Sequence, residues 1–202
     1  MKDKILEVSL MLFFKYGIKS VTMDDIAKEM GVSKKTIYQF FKEKDDIVNK
    51  LCEMEMTRHQ KDFNEIYGAA KDPIHEMTLI YQHLEKVFRA INPVFFHDLH
   101  KQYSQALNRF NTFKKEFMLS HIERNIKEGI KQKLYRNDLD LAFVAQYRLV
   151  QMDMLMMGNG FAIENISYTK AHQMVLDIFM HGISTVKGHK LINKYKNKQE
   201  ED

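Results

Sequence analysis

The sequence predicts an all-α protein with an N-terminal three-helix head of the helix-turn-helix type, a C-terminal helical body and about nine helices in all. Gly (8) and Pro (2) are scarce among the 202 residues, and these are the residues that most often interrupt helices. Apolar side chains also recur every three to four residues, as at Leu6, Leu10 and Phe13, and this is the period of an amphipathic helix.

Capping and helix-breaking residues place the helix ends. Thr22 and Ser33 are favourable N-caps, Gly17 and Gly31 stop the preceding helices, and Pro73 suits a first helical turn. The predicted helices cover residues 3–16, 22–31, 33–41, 44–67, 72–90, 94–105, 108–131, 139–157 and 168–186.

The same capping and helix-breaking residues indicate where the domains begin and end. We predict a helix-turn-helix head over 1–46, a helical body over 47–188, and a polar tail over 189–202. The clearest internal loop is 158–160, with the sequence Gly-Asn-Gly. Lys, Asn and acidic residues crowd the tail, so we expect it to be only partly ordered.

Composition limits the cellular setting. Lys and Arg (31) exceed Asp and Glu (27), giving a net charge of +4, which alone is a weak argument for nucleic acid. Cys52 is the single cysteine, so no disulfide can form within one chain. We find no secretory signal and no apolar run near the roughly 20 residues of a membrane span. The prediction is a cytoplasmic protein without a membrane partner.

Residues 22–41 carry the functional signal. Ile26, Ala27 and Ile37 have the spacing that packs two short helices together, with Ala27 small where their backbones approach. Gly31 can take the positive φ that a tight turn between these helices requires. This pattern predicts a helix-turn-helix.

The second helix of that motif begins with a basic turn. Ser33 caps it and leaves Lys34, Lys35 and Thr36 on the exposed first turn, the part of a helix-turn-helix that enters the major groove of DNA. Lysines there can reach guanine acceptors or phosphates, and a threonine can contact phosphate or a thymine methyl. Gln39 is a further candidate on the same helix.

The head resembles the tetracycline-repressor (TetR) family of one-component bacterial regulators. The resemblance rests on Phe14, Gly17, Thr22, Ile26, Ala27, Gly31, Val32, Ser33, Thr36, Tyr38, Phe41, Lys44 and Asp46. It implies a DNA-binding head fused to a ligand-binding and dimerisation body. It further implies phosphate contacts from Thr22, Tyr38 and Lys44, and a groove-facing turn of residues 33–36. Phe40 departs from the family, which often has His there.

The resemblance also implies three partners. The head binds double-stranded operator DNA of palindromic sequence, and the body binds a small apolar or amphipathic effector and a second copy of the chain. Apolar residues on the last two helices are predicted to form the dimer interface, namely Val144, Met152, Leu155, Val175, Phe179 and Ile183. Aromatic residues are predicted to line the ligand pocket, namely Phe63, Phe88, Phe95, Phe96, Tyr103, Phe110, Phe113, Phe117 and Tyr147. Burial in the core of one subunit is the alternative interpretation of both sets.

Other functional classes fit less well. There is no phosphate-binding Gly loop, metalloprotease His-Glu motif or nucleophile elbow, so we predict neither an enzyme nor a cofactor. His97 and His100 are three residues apart, a spacing that metal binding allows, but neither Cys nor converging carboxylates accompany them and no metal site is predicted. A helical protein-interaction adaptor is the main alternative, although it leaves the motif from Gly31 to Tyr38 unexplained.

Overall fold

In a computed structural model, which describes residues 1–156 and 166–201, every regular element is helical apart from one isolated bridge between Tyr135 and Ser184. The helices are α1 (Lys2–Tyr16), α2 (Met23–Glu29), α3 (Lys34–Tyr38), α4 (Lys44–Ala69), α5 (Pro73–Arg89), α6 (Val94–Gln102), α7 (Ser104–Phe113), α8 (Leu119–Lys131), α9 (Leu141–Met156), α10 (Tyr168–Ile183) and α11 (Val186–Glu201). A π-helical turn, Lys114–Met118, joins α7 to α8.

The predicted fold class is confirmed, and most of the predicted helices recur within a few residues of their expected ends. The predicted loop at 158–160 lies outside the described residues. None of the helices in the described part of the chain combines the length and apolar character that crossing a bilayer requires.

The expectation of a partly ordered tail is corrected, because 186–201 form α11 and the predicted boundary at 188 falls inside this helix. Two contacts explain its order. Ile192 is 5% exposed and belongs to an apolar core. The ring of Tyr195 stacks on His75 at 4.7 Å between centroids, and its hydroxyl donates to Asp72. The polar composition of the tail concealed this anchoring face.

The described residues group into two compact units. The first contains 1–59 and 87–113, and the second contains 60–86 together with 114–156 and 166–201. The predicted head therefore shares its unit with α6 and α7, which the sequence had assigned to the body. The other predicted domain boundaries stay predictions.

The core of the first unit joins the three head helices to the start of α4. Ile5, Ile18, Ile26, Ile37 and Ile47 are each 0% exposed. Burying an aliphatic side chain of this size contributes about 1.5–3 kcal/mol, so these five isoleucines are a large part of what holds the short helices α2 and α3 in place.

A buried polar network organises the second unit. Asn125 donates to the carbonyl of Pro73 (3.0 Å) and to Glu76 (3.0 Å), and it accepts from the Tyr135 hydroxyl (3.1 Å). Gly129 is required beside this network, because a Cβ there would lie 2.1 Å from the Tyr135 ring. Burial raises the pKa of Tyr135 well above its ordinary value, so its hydroxyl stays protonated as the donor.

Candidate DNA-binding site and ligand cavity

The pair α2 and α3 is built on a buried base and joined by a tight turn. Ala27 is 4% exposed, and its carbonyl accepts from the Val32 N–H at 3.0 Å. Gly31 has φ 66°, the positive value that the sequence predicted for this turn. The local geometry of the helix-turn-helix motif is therefore present.

Thr22 and Asp25 form a reciprocal capping box at the start of α2. The Thr22 hydroxyl accepts from the Asp25 N–H (3.2 Å) and donates to the Asp25 carboxylate (2.7 Å), which also accepts from the Thr22 N–H (2.8 Å). These hydrogen bonds from Thr22 lower the pKa of Asp25. Thr22 thus fixes the helix start, and any phosphate contact must share its hydroxyl with Asp25.

Ser33 caps α3 as predicted, since its hydroxyl accepts from the Thr36 N–H at 3.2 Å and lies 2.9 Å from the Thr36 hydroxyl. Lys34 and Lys35 are exposed on this first turn, and Thr36 is half-buried. The Lys34 ammonium donates to Asp24 on α2 at 3.0 Å. The pair is exposed on both sides, so it holds Lys34 only weakly against a competing phosphate.

The far end of α3 presents three side chains to solvent: Tyr38, Gln39 and Phe40. The Lys34 ammonium lies 5.9 Å from the Tyr38 ring centroid, which brings the two candidate contacts together. Phe40 is 40% exposed, so the position where the family often has His is a surface position here rather than a packed one.

Lys44 has a structural role that the sequence did not predict. Its ammonium donates to the carbonyls of Ile18 and Val21, both at 2.9 Å, and so fastens the loop between α1 and α2 to the start of α4. Partial burial lowers the pKa of Lys44. The side chain is half-buried, and its ammonium already donates to two carbonyls. Its predicted phosphate contact remains a prediction.

Lys42 is a further cation near α3 that was not among the predicted contacts. Its side chain is exposed in the connection between α3 and α4. The backbone N–H groups of Lys42 and Glu43 donate to Asp46 at 3.0 and 3.3 Å, which fixes the connection. The local excess of lysine between Gly31 and Lys44 was the signal that could have found it.

Within the first unit, α1 is also attached to the start of α6. The Lys19 N–H donates to the buried carboxylate of Asp98 (2.8 Å), and the Asn92 N–H donates to the Phe14 carbonyl (2.7 Å). Gly17 has φ 83°, and a Cβ there would lie 2.9 Å from a Val94 methyl. The head and α6 are thus fastened by hydrogen bonds and a close backbone approach.

The predicted ligand-pocket residues separate into three groups. Phe63 and Phe117 lie in the second unit with ring centroids 6.2 Å apart. Tyr147 is 48% exposed on α9 and stacks on Phe143. The other six lie in the first unit, namely Phe88, Phe95, Phe96, Tyr103, Phe110 and Phe113. The alternative interpretation as core applies to Tyr103 and Phe113, which are 6% and 8% exposed.

The second unit contains a cavity that opens to solvent on one side. Of the nine predicted residues, Phe63 lines it. Most other lining groups are aliphatic or sulfur-containing, as at Leu84, Met118 and Met152, and Met118 ends the π-helical turn. Arg148 is the unexpected member of the lining. The positions of the aromatic residues in the sequence did not indicate this cavity, because most of its lining is not aromatic.

The six predicted interface residues are buried within the single chain. Val144, Met152, Leu155, Val175, Phe179 and Ile183 are 3–8% exposed. Side chains so fully covered by their own chain have little surface left for a second copy. This burial favours the alternative interpretation, the core of one subunit, and the predicted interface stays a prediction.

A different face of the same helices is open. On α9 it contains Phe143, Tyr147, Val150 and Met154, at spacings of four, three and four residues, with exposures of 39–67%. On α10 it contains Met174 (45%) and Ile178 (69%). We call these six residues the open face.

Comparison with known proteins identifies the head. Residues 5–51 match the family model of bacterial regulatory proteins, tetR family. The HTH-type transcriptional regulator AcrR of Shigella flexneri is 33% identical over 81 residues, 40% of this chain and 31% of that protein. The uncharacterized HTH-type transcriptional regulator YhgD of Bacillus subtilis is 29% identical over 137 residues, 66% of each chain. The chain thus spans about a third of AcrR and just under two thirds of YhgD.

Solved structures extend the likeness to the whole fold. A putative transcriptional regulator from Saccharomonospora viridis, in complex with choline, has a TM-score of 0.77 at 19% identity, covering 91% of this chain and 97% of that one. The regulator FadR of Bacillus subtilis, in complex with stearoyl-CoA, has a TM-score of 0.70 at 19% identity, covering 91% and 100%. The resemblance drawn from the motif residues is confirmed: residues 5–51 of this chain match the tetR family of bacterial regulatory proteins, and the relatives it is similar to are HTH-type transcriptional regulators.

Proposed function

We propose that this chain is a repressor that binds a palindromic operator as a homodimer and leaves it when a small amphipathic ligand enters the second unit. The observation that carries the proposal is the exposed basic turn of α3, Lys34 and Lys35, held in place by the fully buried Ile37. A helix anchored on one side with cations on the other suits the major groove.

Phosphate attraction supplies most of the proposed affinity. Lys34, Lys35 and Lys42 are exposed cations on and next to α3. Each phosphate neutralised releases counterions, so the affinity falls steeply with salt. Tyr38 and Gln39 complete the set that faces DNA, with hydroxyl and amide groups suited to phosphate or base edges.

The open face supports self-association. Helix α9 buries one apolar side, which includes Ala145 and Leu149, in its own unit, and it presents Phe143 and Val150 to solvent on another. Contiguous exposed apolar side chains on neighbouring helices are typical of an interface. We propose that the dimer presents its two copies of α3 to successive major grooves, about 34 Å apart.

The cavity in the second unit is the proposed ligand-binding site. Two regulators of similar fold are described in complex with choline and with stearoyl-CoA, so this architecture accommodates small molecules of different kinds. Helix α4 begins in the first unit and ends in the second. A ligand that favours one position of α4 would change the spacing of the two α3 helices, and by linkage operator DNA would weaken ligand binding by the same factor.

The DNA contact is tested by fluorescence anisotropy with a labelled duplex from the region upstream of the protein's own gene. The double variant Lys35→Ala, Tyr38→Ala should lose at least tenfold in affinity while its thermal unfolding is unchanged. Lys131→Ala is the matched control, since Lys131 is 78% exposed on α8 in the second unit. Undiminished affinity of the double variant would overturn the groove assignment.

The dimer is tested by sedimentation equilibrium. Ile178→Asp places a charge on the most exposed residue of the open face and should yield monomers. Met54→Asp, on an exposed position of α4, should leave the dimer intact. A dimer of unchanged stability in Ile178→Asp would rule out this interface.

A further inference from the structure

Arg148 is the most unusual charged group of the second unit. It is 3% exposed, and its Nε and Nη1 are buried without a hydrogen-bond partner among the described residues. Its guanidinium lies 5.4 Å from the Phe179 ring, a cation–π contact that leaves the hydrogen-bond donors unused. Leaving such donors unsatisfied in a protein interior is costly, so the site calls for an acceptor.

Arg148 belongs to the lining of the cavity in the second unit. The other polar lining groups have partners. Glu76 binds Arg124 and Asn125. The His121 ring lies 3.0 Å from the Phe117 carbonyl and 3.2 Å from the Asn64 side-chain oxygen. Because Glu76 already pairs with Arg124, Arg148 is the charged lining group that has no compensating partner among the described residues.

The remaining lining is apolar and adaptable. Phe63, Met77, Leu84, Met118 and Met152 surround the cavity, and methionine side chains adjust to ligands of irregular shape. A single positive charge among such side chains matches a molecule with one negative charge and an apolar body.

We infer that the effector is an amphipathic carboxylate, with its head group paired to Arg148 and its hydrocarbon body among the methionine and leucine side chains of the cavity. This deepens the proposed function by naming the ligand class of the same site, and it rests on that proposal. A guanidinium pairs with a carboxylate through charge-assisted hydrogen bonds, which are about twice as strong as neutral ones. Burial lowers the pKa of Arg148 to about 10, which still leaves it charged at neutral pH.

The test uses the full chain and three probes with the same ten-carbon body: decanoate, 1-decanol and decyltrimethylammonium. Isothermal titration calorimetry at neutral pH, without DNA, should give decanoate a Kd at least tenfold lower than that of decanol, with the cation binding no better than decanol. Arg148→Met should bind decanol as the wild type does and lose the preference for decanoate. Arg148→Lys should keep part of it.

Arg136→Met is the matched control, because Arg136 is a half-exposed arginine of the same unit outside the cavity lining. It should keep the full preference for decanoate. Equal affinity of the wild type for decanoate and decanol, no binding of any probe, or a preference that survives in Arg148→Met would each overturn the inference. Operator binding by unliganded protein is measured separately, so a failure of the regulator proposal and a failure of the ligand class give different results.

Discussion

Replacing Arg148 with methionine should make the ligand-free protein more stable, although most substitutions of buried residues destabilise proteins. Burial lowers the pKa of Arg148 from its ordinary 12.5 to about 10. One pKa unit corresponds to about 1.4 kcal/mol, so the charged guanidinium costs the folded state about 3 kcal/mol. The cost is present in full at pH 7, because neutral pH lies far below both pKa values, and it disappears only in strongly alkaline solution.

Methionine retains much of the apolar stem but loses the desolvated cation–π contact with Phe179, which is worth about 2 kcal/mol. The net expectation is a gain of about 1 kcal/mol in the free energy of unfolding. For a chain of this length that raises the Tm by about 2–4 °C. Urea denaturation and calorimetry at equal protomer concentration measure both quantities, since dimerisation links stability to concentration.

Arg124→Met is the matched control and should have the opposite sign. Arg124 pairs with Glu76, which is 4% exposed, and removing one partner of a buried pair costs about 3–5 kcal/mol. A loss of 1 kcal/mol or more in Arg148→Met would refute the reasoning, because it would mean that the guanidinium already has a partner that satisfies it.

Three further predictions concern the head and the pH response. Lys44→Met should lower the free energy of unfolding by about 2–3 kcal/mol in urea denaturation, because two hydrogen bonds from a charged donor are lost. Lys42→Met should weaken only DNA binding. Equal stabilities of the two variants would contradict the structural role of Lys44. Asp24→Asn should free Lys34 and strengthen DNA binding several-fold at low salt without changing the Tm, and weaker binding would show that the ion pair positions Lys34 for DNA. Burial, and secondarily the charge of Arg148, lowers the pKa of His172 from its ordinary 6.5 to about 4. The free energy of unfolding should therefore be highest above pH 6.5 and fall by up to about 3 kcal/mol as the pH drops toward 4. If His172→Gln keeps this acid dependence in denaturation curves, other groups cause it.

Local patterns determined the head. Thr22 and Ser33 cap helices by hydrogen bonds to residues three positions away, and Gly31 takes a positive φ in a tight turn. These roles are local, so they could be predicted from neighbours in the sequence. Helical periodicity predicted the all-α fold for the same reason. The DNA contacts themselves stay predictions, since they depend on a partner that the chain alone does not contain.

Tertiary structure decided everything that depends on which side of a helix meets another. Apolar side chains occur on more than one side of α9, so the sequence could not tell its buried side, with Val144 and Met152, from its open side, with Tyr147 and Val150. The polar tail became a helix because of a distant contact between Tyr195 and Asp72. The role of Arg148 follows from the absence of a nearby partner among the described residues, and such an absence is a property of three-dimensional packing that no local sequence pattern encodes.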